Sequence, residues 1–389
     1  MVPYTRGMSE RFDAIVLGLG GMGSASVHHI ARRGRRVLGL EQFQPLHARG
    51  SSHGLTRIIR LAYHEHPSYV PLLRRAYELW HELESRSGLE LLITTGALEG
   101  GPDDGATFLG SLQAAELHDL RHEVLDADDL GRRYPFRNLE PSTRAVLQPD
   151  GGFLLAEPTM LAHLDAAAAD GADLRFGEPV LDWQPLGADG VRVRTVRATY
   201  EADRLVIAAG AWARSLVPAL AELAQPERQV LGWFTPTSPA DFGPDRFPVF
   251  LIDVEGGKHY YGFPTHQGHG LKIGWYHHFR EPIDPANADR STRPDDEAAL
   301  REFVEHYLPD GAGPTEMLTT CIFTNTPDEH FIVDALPDAP QALVVSPCSG
   351  HGYKFCSVIG EIAADLVVDG ATRHDIGLFR LDRFASVTA

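Results

Sequence analysis

Three glycines and one acid carry the first readable chemistry. In FDAIVLGLGGMGSASVHHIARRGRRVLGLE, Gly18, Gly20 and Gly23 fit G-x-G-x-x-G, and Glu41 follows about twenty residues beyond Gly18. Gly18 allows a tight turn, Gly20 lets backbone approach a pyrophosphate, and Gly23 lets a helix sit close to a strand. A helix start offers N–H groups and a positive dipole end to phosphates, while Glu41 can accept from both ribose hydroxyls. With 38 glycines in the chain the pattern alone is weak, and an ordinary glycine turn would mimic it. Its weight comes from context: an apolar strand before it, a helix after it, and an acid at the expected distance. The expectation is a bound dinucleotide, FAD or NAD rather than NADP, because Glu41 disfavours a 2′-phosphate.

Other residues are ambiguous by themselves. Ser349-Gly350-His351-Gly352-Tyr353-Lys354 precedes a helix, and a helix start beside a lysine can stabilise negative charge. It is equally a glycine loop with a surface lysine. Cys321, in TTCIFTNTPDEHF, is more simply a small buried hydrophobe than a working thiol. Lys272 lies among apolar neighbours in GLKIGWYHHF, where burial would depress its pKa unless strand alternation turns it to solvent. His277 and His278 have no metal-ligand spacing with another histidine or acid, and Cys348 and Cys356 fit no zinc pattern, so no metal site is expected.

The elements follow from periodicity. Phe12 to Leu17 and Val37 to Leu40 read as buried strands flanking a helix over Ser24 to Arg33. Helical spacing with a glycine stop marks Val70 to Gly88, and further helices are expected over Ala106 to His118, Asp126 to Tyr134, Pro158 to Gly171 and Pro294 to Tyr307. LVIAAGAWA, from Leu205 to Ala213, repeats the small-residue strand-to-turn pattern and belongs in the same parallel sheet. From Gln229 to Ile283, aromatic and β-branched residues alternate between proline and glycine turns, as in an antiparallel sheet. The last segment returns to strands and a final helix, so the fold class is α/β (α+β), with a Rossmann-like domain and an antiparallel-sheet domain interleaved in sequence. The expected division assigns 1–88, 146–225 and 321–389 to the dinucleotide domain, and 89–145 and 226–320 to the substrate domain.

Bulk properties bound the partners. At 389 residues two domains are the natural prior, and 43% apolar content is ordinary for a globular protein. A formal charge of −18 argues against nucleic acid or an anionic membrane as partner. No apolar run reaches membrane-spanning length, the first residues lack the apolar core of a signal peptide, and three cysteines make no disulfide framework. The expectation is a cytoplasmic protein, with either Met1 or Met8 as its start.

Taken together, FDAIVLGLGGMG, SSHGLTRIIRLAY, YVPLLRRAYELW, RQVLGWF, YYGFP, GLKIGWYH, CIFTNTPDEHFIVD and SGHGYKF resemble the monomeric sarcosine oxidase and N-methyltryptophan oxidase family of the D-amino acid oxidase superfamily. The resemblance spans nearly the whole chain. It implies FAD joined through its 8α-methyl carbon to Cys321. It implies cofactor contacts from Ser51, Ser52, Thr56, Arg57, Gly350, Gly352 and Lys354 as well as the first glycines. Arg60 and Lys354 match the pair that binds a substrate carboxylate, and Lys272 matches the lysine that promotes reaction with oxygen near flavin N5. Arg57, Tyr261 and His351 match other residues around flavin and substrate, and His277, with Tyr276 and His278 as alternatives, takes the place of the active-site histidine. The implied reaction oxidises a secondary N-methyl amino acid to an imine that hydrolyses to formaldehyde and a primary amino acid, with hydrogen peroxide formed from oxygen. Partners would be a small amine and oxygen, and the protein a monomer. Rival readings are oxidation of another amine (a larger N-methyl amino acid, a cyclic imino acid or a glycated amine), an NAD-dependent dehydrogenase, and a non-catalytic flavoprotein.

Overall fold

Short apolar runs that cannot satisfy backbone groups alone must pair, and here they pair into three sheets. The computed structural model describes residues 10–188, 190–345 and 348–385; the two candidate starts lie outside them. The chain divides into two compact units, one of Met1–Ser52, Met160–Gln225 and Thr324–Ala389, the other of His53–Thr159 and Pro226–Phe323.

In the first unit, Glu10–Leu17 runs parallel to Val37–Leu40 on one side and to Thr199–Ile207 on the other. Asp173–Arg175 and Ala339–Val345 extend the parallel sheet outward. Ile15, Leu17, Leu38, Leu40, Leu205 and Ile207 are buried in one apolar cluster, as expected for parallel strands covered on both faces. Helix Gly21–Arg32 packs along helix Cys356–Val368 so closely that a Cβ on Gly360 would lie 2.6 Å from the Ala25 backbone carbon. The predicted helix after the first strand therefore starts three residues early, at the glycines themselves.

The second unit is built on an eight-stranded sheet in the order Thr315–Asn325, Gln225–Phe234, Leu271–Trp275, Lys258–Phe263, Val249–Val254, Ala97–Pro102, Thr143–Gln148, Glu123–Asp126. The aromatic stretch is antiparallel as its alternation predicts, but Val249–Val254 runs parallel to Ala97–Pro102, which makes the whole sheet mixed. Such a long-range pairing leaves no local signal. One face packs Phe136, Phe247, Phe250, Tyr260 and Phe303, with Tyr260 stacked 4.3 Å from Phe303 on helix Pro294–Tyr307. Helix Val70–Ser87 buries Val70, Leu72, Leu73, Ala76, Leu79, Trp80 and Leu83 and ends on Gly88 in the left-handed conformation. That helix and the strands Thr56–Ile59, Leu92–Thr94 and Gly152–Leu155, which form the third sheet, sit in this unit. Its boundary thus falls after Ser52, not after Gly88, because Thr56–Ile59 pairs with Gly152–Leu155. No helix among the described residues is long and apolar enough to cross a membrane.

Candidate active site

Each unit carries part of the predicted set. Gly18, Gly20, Gly23, Glu41, Ser51, Ser52, Gly350, His351, Gly352 and Lys354 belong to the first unit; Thr56, Arg57, Arg60, Tyr261, Lys272, His277 and Cys321 belong to the second.

The glycine turn of the first unit fits a dinucleotide. Gly18 has φ +85°, and a Cβ on Gly23 would sit 1.7 Å from the Gly18 carbonyl oxygen, so only glycine lets the helix begin so near the strand. Gly20 has no such crowding, its nearest neighbour being Ser52 Oγ, which accepts from the Gly21 N–H at 3.1 Å. Glu41 is buried and accepts from the Leu19 N–H at 2.8 Å and the Phe43 N–H at 3.0 Å. Burial pushes its pKa up, but His47 and those two N–H groups outweigh it and hold the carboxyl below its usual range. A carboxylate so placed keeps lone pairs for ribose hydroxyls. The turn after Cys348 packs against the same helix start: a Cβ on Gly21 would meet Cys356 Sγ at 2.7 Å and the Tyr353 ring at 3.0 Å. In that turn Gly350 has φ +78°, His351 Nε2 lies 2.8 Å from the Glu329 carbonyl, and the buried Lys354 donates to the His351 carbonyl at 2.7 Å. Burial pushes the Cys348 thiol up to about 12, so it stays protonated.

In the second unit one sheet face carries the chemistry. Register places Glu99 opposite Leu251, Leu251 opposite Tyr261, and Tyr261 opposite Gly274, so alternation sets Lys272 on that same face. Lys272 is 2% exposed, and its ammonium donates to the Gly54 carbonyl at 2.7 Å, the Thr56 carbonyl at 2.8 Å and Thr56 Oγ1 at 3.1 Å. It also lies 4.3 Å from the Phe263 ring centroid. Burial, and then the Arg57 charge, pull its pKa well below a free lysine's. Three acceptors and an aromatic face favour the charged form, and with all three N–H donors satisfied we take it as an ammonium. Cys321 is buried with Leu231 and Trp233, and Arg57 Nη2 lies 4.0 Å from its sulfur while donating to the His53 carbonyl. Burial raises the Tyr261 phenol well above its ordinary value, so it remains a neutral hydroxyl.

Arg60 is 1% exposed and already paired. It donates to Glu65 Oε1 and Oε2 at 2.8 and 2.9 Å and lies 3.2 Å from Glu99 Oε2, which is also 2.8 Å from His64 Nδ1. Burial alone would loosen its proton, but Glu65 and Glu99 reverse that effect. The His259–Asp253 pair lies alongside, its ring 5.7 Å from that of His64. Burial tends to raise Asp253, yet the His259 hydrogen bond holds it below the usual carboxylate range.

The three candidates for the active-site histidine's place lie at the end of strand Leu271–Trp275. His277 is left-handed, φ +58°, with Nδ1 2.8 Å from Glu227, and His278 is buried against Asp296. Tyr276 continues the Lys272–Gly274 alternation and packs against His259 at 5.6 Å and Phe323 at 5.1 Å. Tyr276 thus lies beside His259 and Phe323, while His277 turns to Glu227. Glu65, Glu99, Asp253 and His259 were not singled out from sequence; the one available signal is Glu99 itself, an acid inside the otherwise apolar or glycine run GALEGG. Among the described residues no group of three His, Cys, Asp or Glu side chains gathers as a metal would need.

Comparison with known proteins places this architecture. The model for FAD dependent oxidoreductases called DAO matches residues 13–366. A monomeric sarcosine oxidase of Streptomyces avermitilis is 43% identical over 389 residues, covering 98% of this chain and 100% of that protein. An N-methyl-L-tryptophan oxidase of Yersinia pestis is 35% identical, covering 96% and 99%. Among solved structures, NikD, an unusual amino acid oxidase essential for nikkomycin biosynthesis, superposes with a TM-score of 0.83 at 27% identity, covering 96% of this chain and 98% of its own. With its glycine cradle and its charged sheet face, the chain belongs to the DAO family of FAD-dependent oxidoreductases.

Proposed function

We propose that this protein is an FAD-dependent amine oxidase that demethylates a secondary N-methyl amino acid of the sarcosine type, yielding formaldehyde, the primary amino acid and hydrogen peroxide. The observation that carries the substrate class is the near end-to-end likeness to a protein named monomeric sarcosine oxidase. Bound FAD would supply the electron acceptor for C–H oxidation and the route of electrons to oxygen.

The chain's own residues do the rest. Gly18, Gly20, Gly23 and the helix start hold pyrophosphate, Glu41 the ribose, and Ser51, Ser52, Thr56, Gly350 and Gly352 complete the cofactor contacts. Cys321, with Arg57 Nη2 4.0 Å from its sulfur, is the covalent anchor. Arg60 and Lys354 each keep the role the resemblance implies, a cationic partner for the substrate carboxylate. Lys272 holds a fixed charge that stabilises negative charge developing on oxygen. Tyr261 and His351 border the substrate, with Tyr276 in the place first given to His277. No strong general base is required, since the neutral amine can be selected on binding. Cys321, Cys348 and Cys356 form no disulfide, which suits a reducing cytoplasm, and we assign the protein there as a monomer.

The test begins with acid precipitation of the purified protein. A yellow pellet, and colour that moves to the supernatant in Cys321→Ala, is the expected result; colour remaining in the Cys321→Ala pellet removes the anchor. Oxygen uptake with sarcosine, with formaldehyde released in equal amount, is expected of the intact enzyme. Absence of both with sarcosine and with larger N-methyl amino acids would overturn the substrate class.

A further inference from the structure

Arg60 presents a conflict of charge. A guanidinium meant for a substrate carboxylate is here shared by two carboxylates of its own chain, Glu65 and Glu99. Glu99 is the unexpected one. It is 1% exposed, in the strand Ala97–Pro102, between Leu251 and Val146 on the neighbouring strands. Its Oε2 is used by Arg60 and His64, while its Oε1 meets no hydrogen-bond partner, and neither does Arg60 Nε. A buried carboxylate with a half-satisfied shell is a poor device for stability, because an apolar side chain in a strand interior would serve better. Its effect must be sought in the charge it imposes on Arg60.

Arg60 thus sets its single positive charge against two carboxylates, Glu65 and Glu99. An incoming carboxylate therefore meets a guanidinium whose field is already opposed by Glu65 and Glu99. Two unit charges some 6 Å apart interact strongly at an effective dielectric near 20, enough to change an equilibrium at least tenfold. We infer that Glu99 is a positioning and specificity residue: acting through Arg60, it weakens the hold on the substrate carboxylate and so raises the substrate concentration at which the enzyme half-saturates. His64, on the same oxygen, orients Glu99. The inference rests on the carboxylate role proposed for Arg60.

The experiment uses the holoenzyme and two substrates, sarcosine and its carboxamide analogue, which lacks the negative charge. In Glu99→Gln, which keeps shape and removes charge, KM for sarcosine should fall about tenfold with kcat nearly unchanged. KM for the carboxamide should stay within about twofold. A role in folding alone would move both substrates together and would not lower either KM. Arg60→Lys, which retains the charge but loses the two-pronged geometry, should raise KM for sarcosine and not for the carboxamide. Unchanged or raised sarcosine KM in Glu99→Gln, with Arg60→Lys behaving as expected, overturns the role of Glu99 alone. If Arg60→Lys also leaves sarcosine KM unchanged, the carboxylate role of Arg60 falls and the inference falls with it. Should Glu99→Gln fail to fold, His64→Gln tests the same chain of contacts: freeing Glu99 to move off Arg60 should lower sarcosine KM selectively, and an equal change for both substrates counts against it.

Discussion

At the scale of single residues, Lys272 shows how much environment a charge needs. Its three acceptors come from the backbone and side chain of one short stretch, Gly54 to Thr56, so the ammonium is fixed in direction as well as in place. Replacing it with Met removes one donor from each acceptor, but the Gly54 carbonyl keeps the Thr56 N–H and the Thr56 carbonyl keeps Arg57, so only a modest loss of thermal stability is expected. The larger effect should be chemical. Reaction of the reduced Lys272→Met enzyme with oxygen, followed by stopped flow, should slow on the order of 100-fold, the usual worth of one preorganised charge. Flavin content should hold. An unchanged oxygen rate would remove Lys272 from that role. Lys272 was legible in the sequence because a lysine among apolar neighbours is unusual, and Cys321 because its surroundings resemble a known pattern. Glu99 and Glu65 were not, since nothing local says that two acids 34 positions apart will meet one arginine.

At the scale of elements, alternation and glycine placement were readable, and departures from them were not. The helices Val70–Ser87 and Pro294–Tyr307 follow the apolar spacing closely. The segment after Trp275 does not, because His277, Phe279 and Arg280 all adopt positive φ without being glycine. Non-glycine residues in that region carry no sequence mark, so the turn that takes His277 out of the strand's alternation is not legible in the sequence. Helix pairing supplies a test of close approach. In an ordinary helix interior Gly→Ala gains up to about 1 kcal/mol from propensity. At Gly360 the new methyl would lie 2.6 Å from Ala25, and overpacking of about 1–3 kcal/mol should win. Gly360→Ala should therefore melt at a lower temperature than the parent; a higher one would mean that the helices part easily.

At the scale of the whole molecule, pH should act through a buried trio in the first unit. His28 Nδ1 lies 2.9 Å from His163 Nδ1, and the His29 ring lies tilted against His28 at 5.1 Å. One ring must donate and the other accept, so the pair cannot be doubly protonated and keep its bond. Burial, with His28 adding to it, lowers His29 to about 3 and His163 well below its ordinary value. Glu361 opposes this at His29, while Arg32 and Arg33 reinforce it. The unfolded chain then binds more protons than the native one below about pH 6.5, so stability should be full above that value and decline as pH falls toward 3, by about 1.4 kcal/mol per unit for each such histidine. Melting curves between about pH 8 and 5 should show this fall, and His29→Gln should make it shallower, with the His163 part remaining. A flat parent curve would mean that the trio opens to water. The two-unit architecture was legible from the return of strand-and-turn patterns late in the chain, whereas the parallel joint between Val249–Val254 and Ala97–Pro102 was not. The sheet's register has an evolutionary consequence as well. Deleting one residue from Leu271–Trp275 would hand the place of Lys272 to an apolar neighbour and send the lysine into the aromatic core. Lineages descending from this protein can change their diet by exchanging side chains or growing loops, but a frame slipped by one within those strands would be an inheritance that no single later substitution restores.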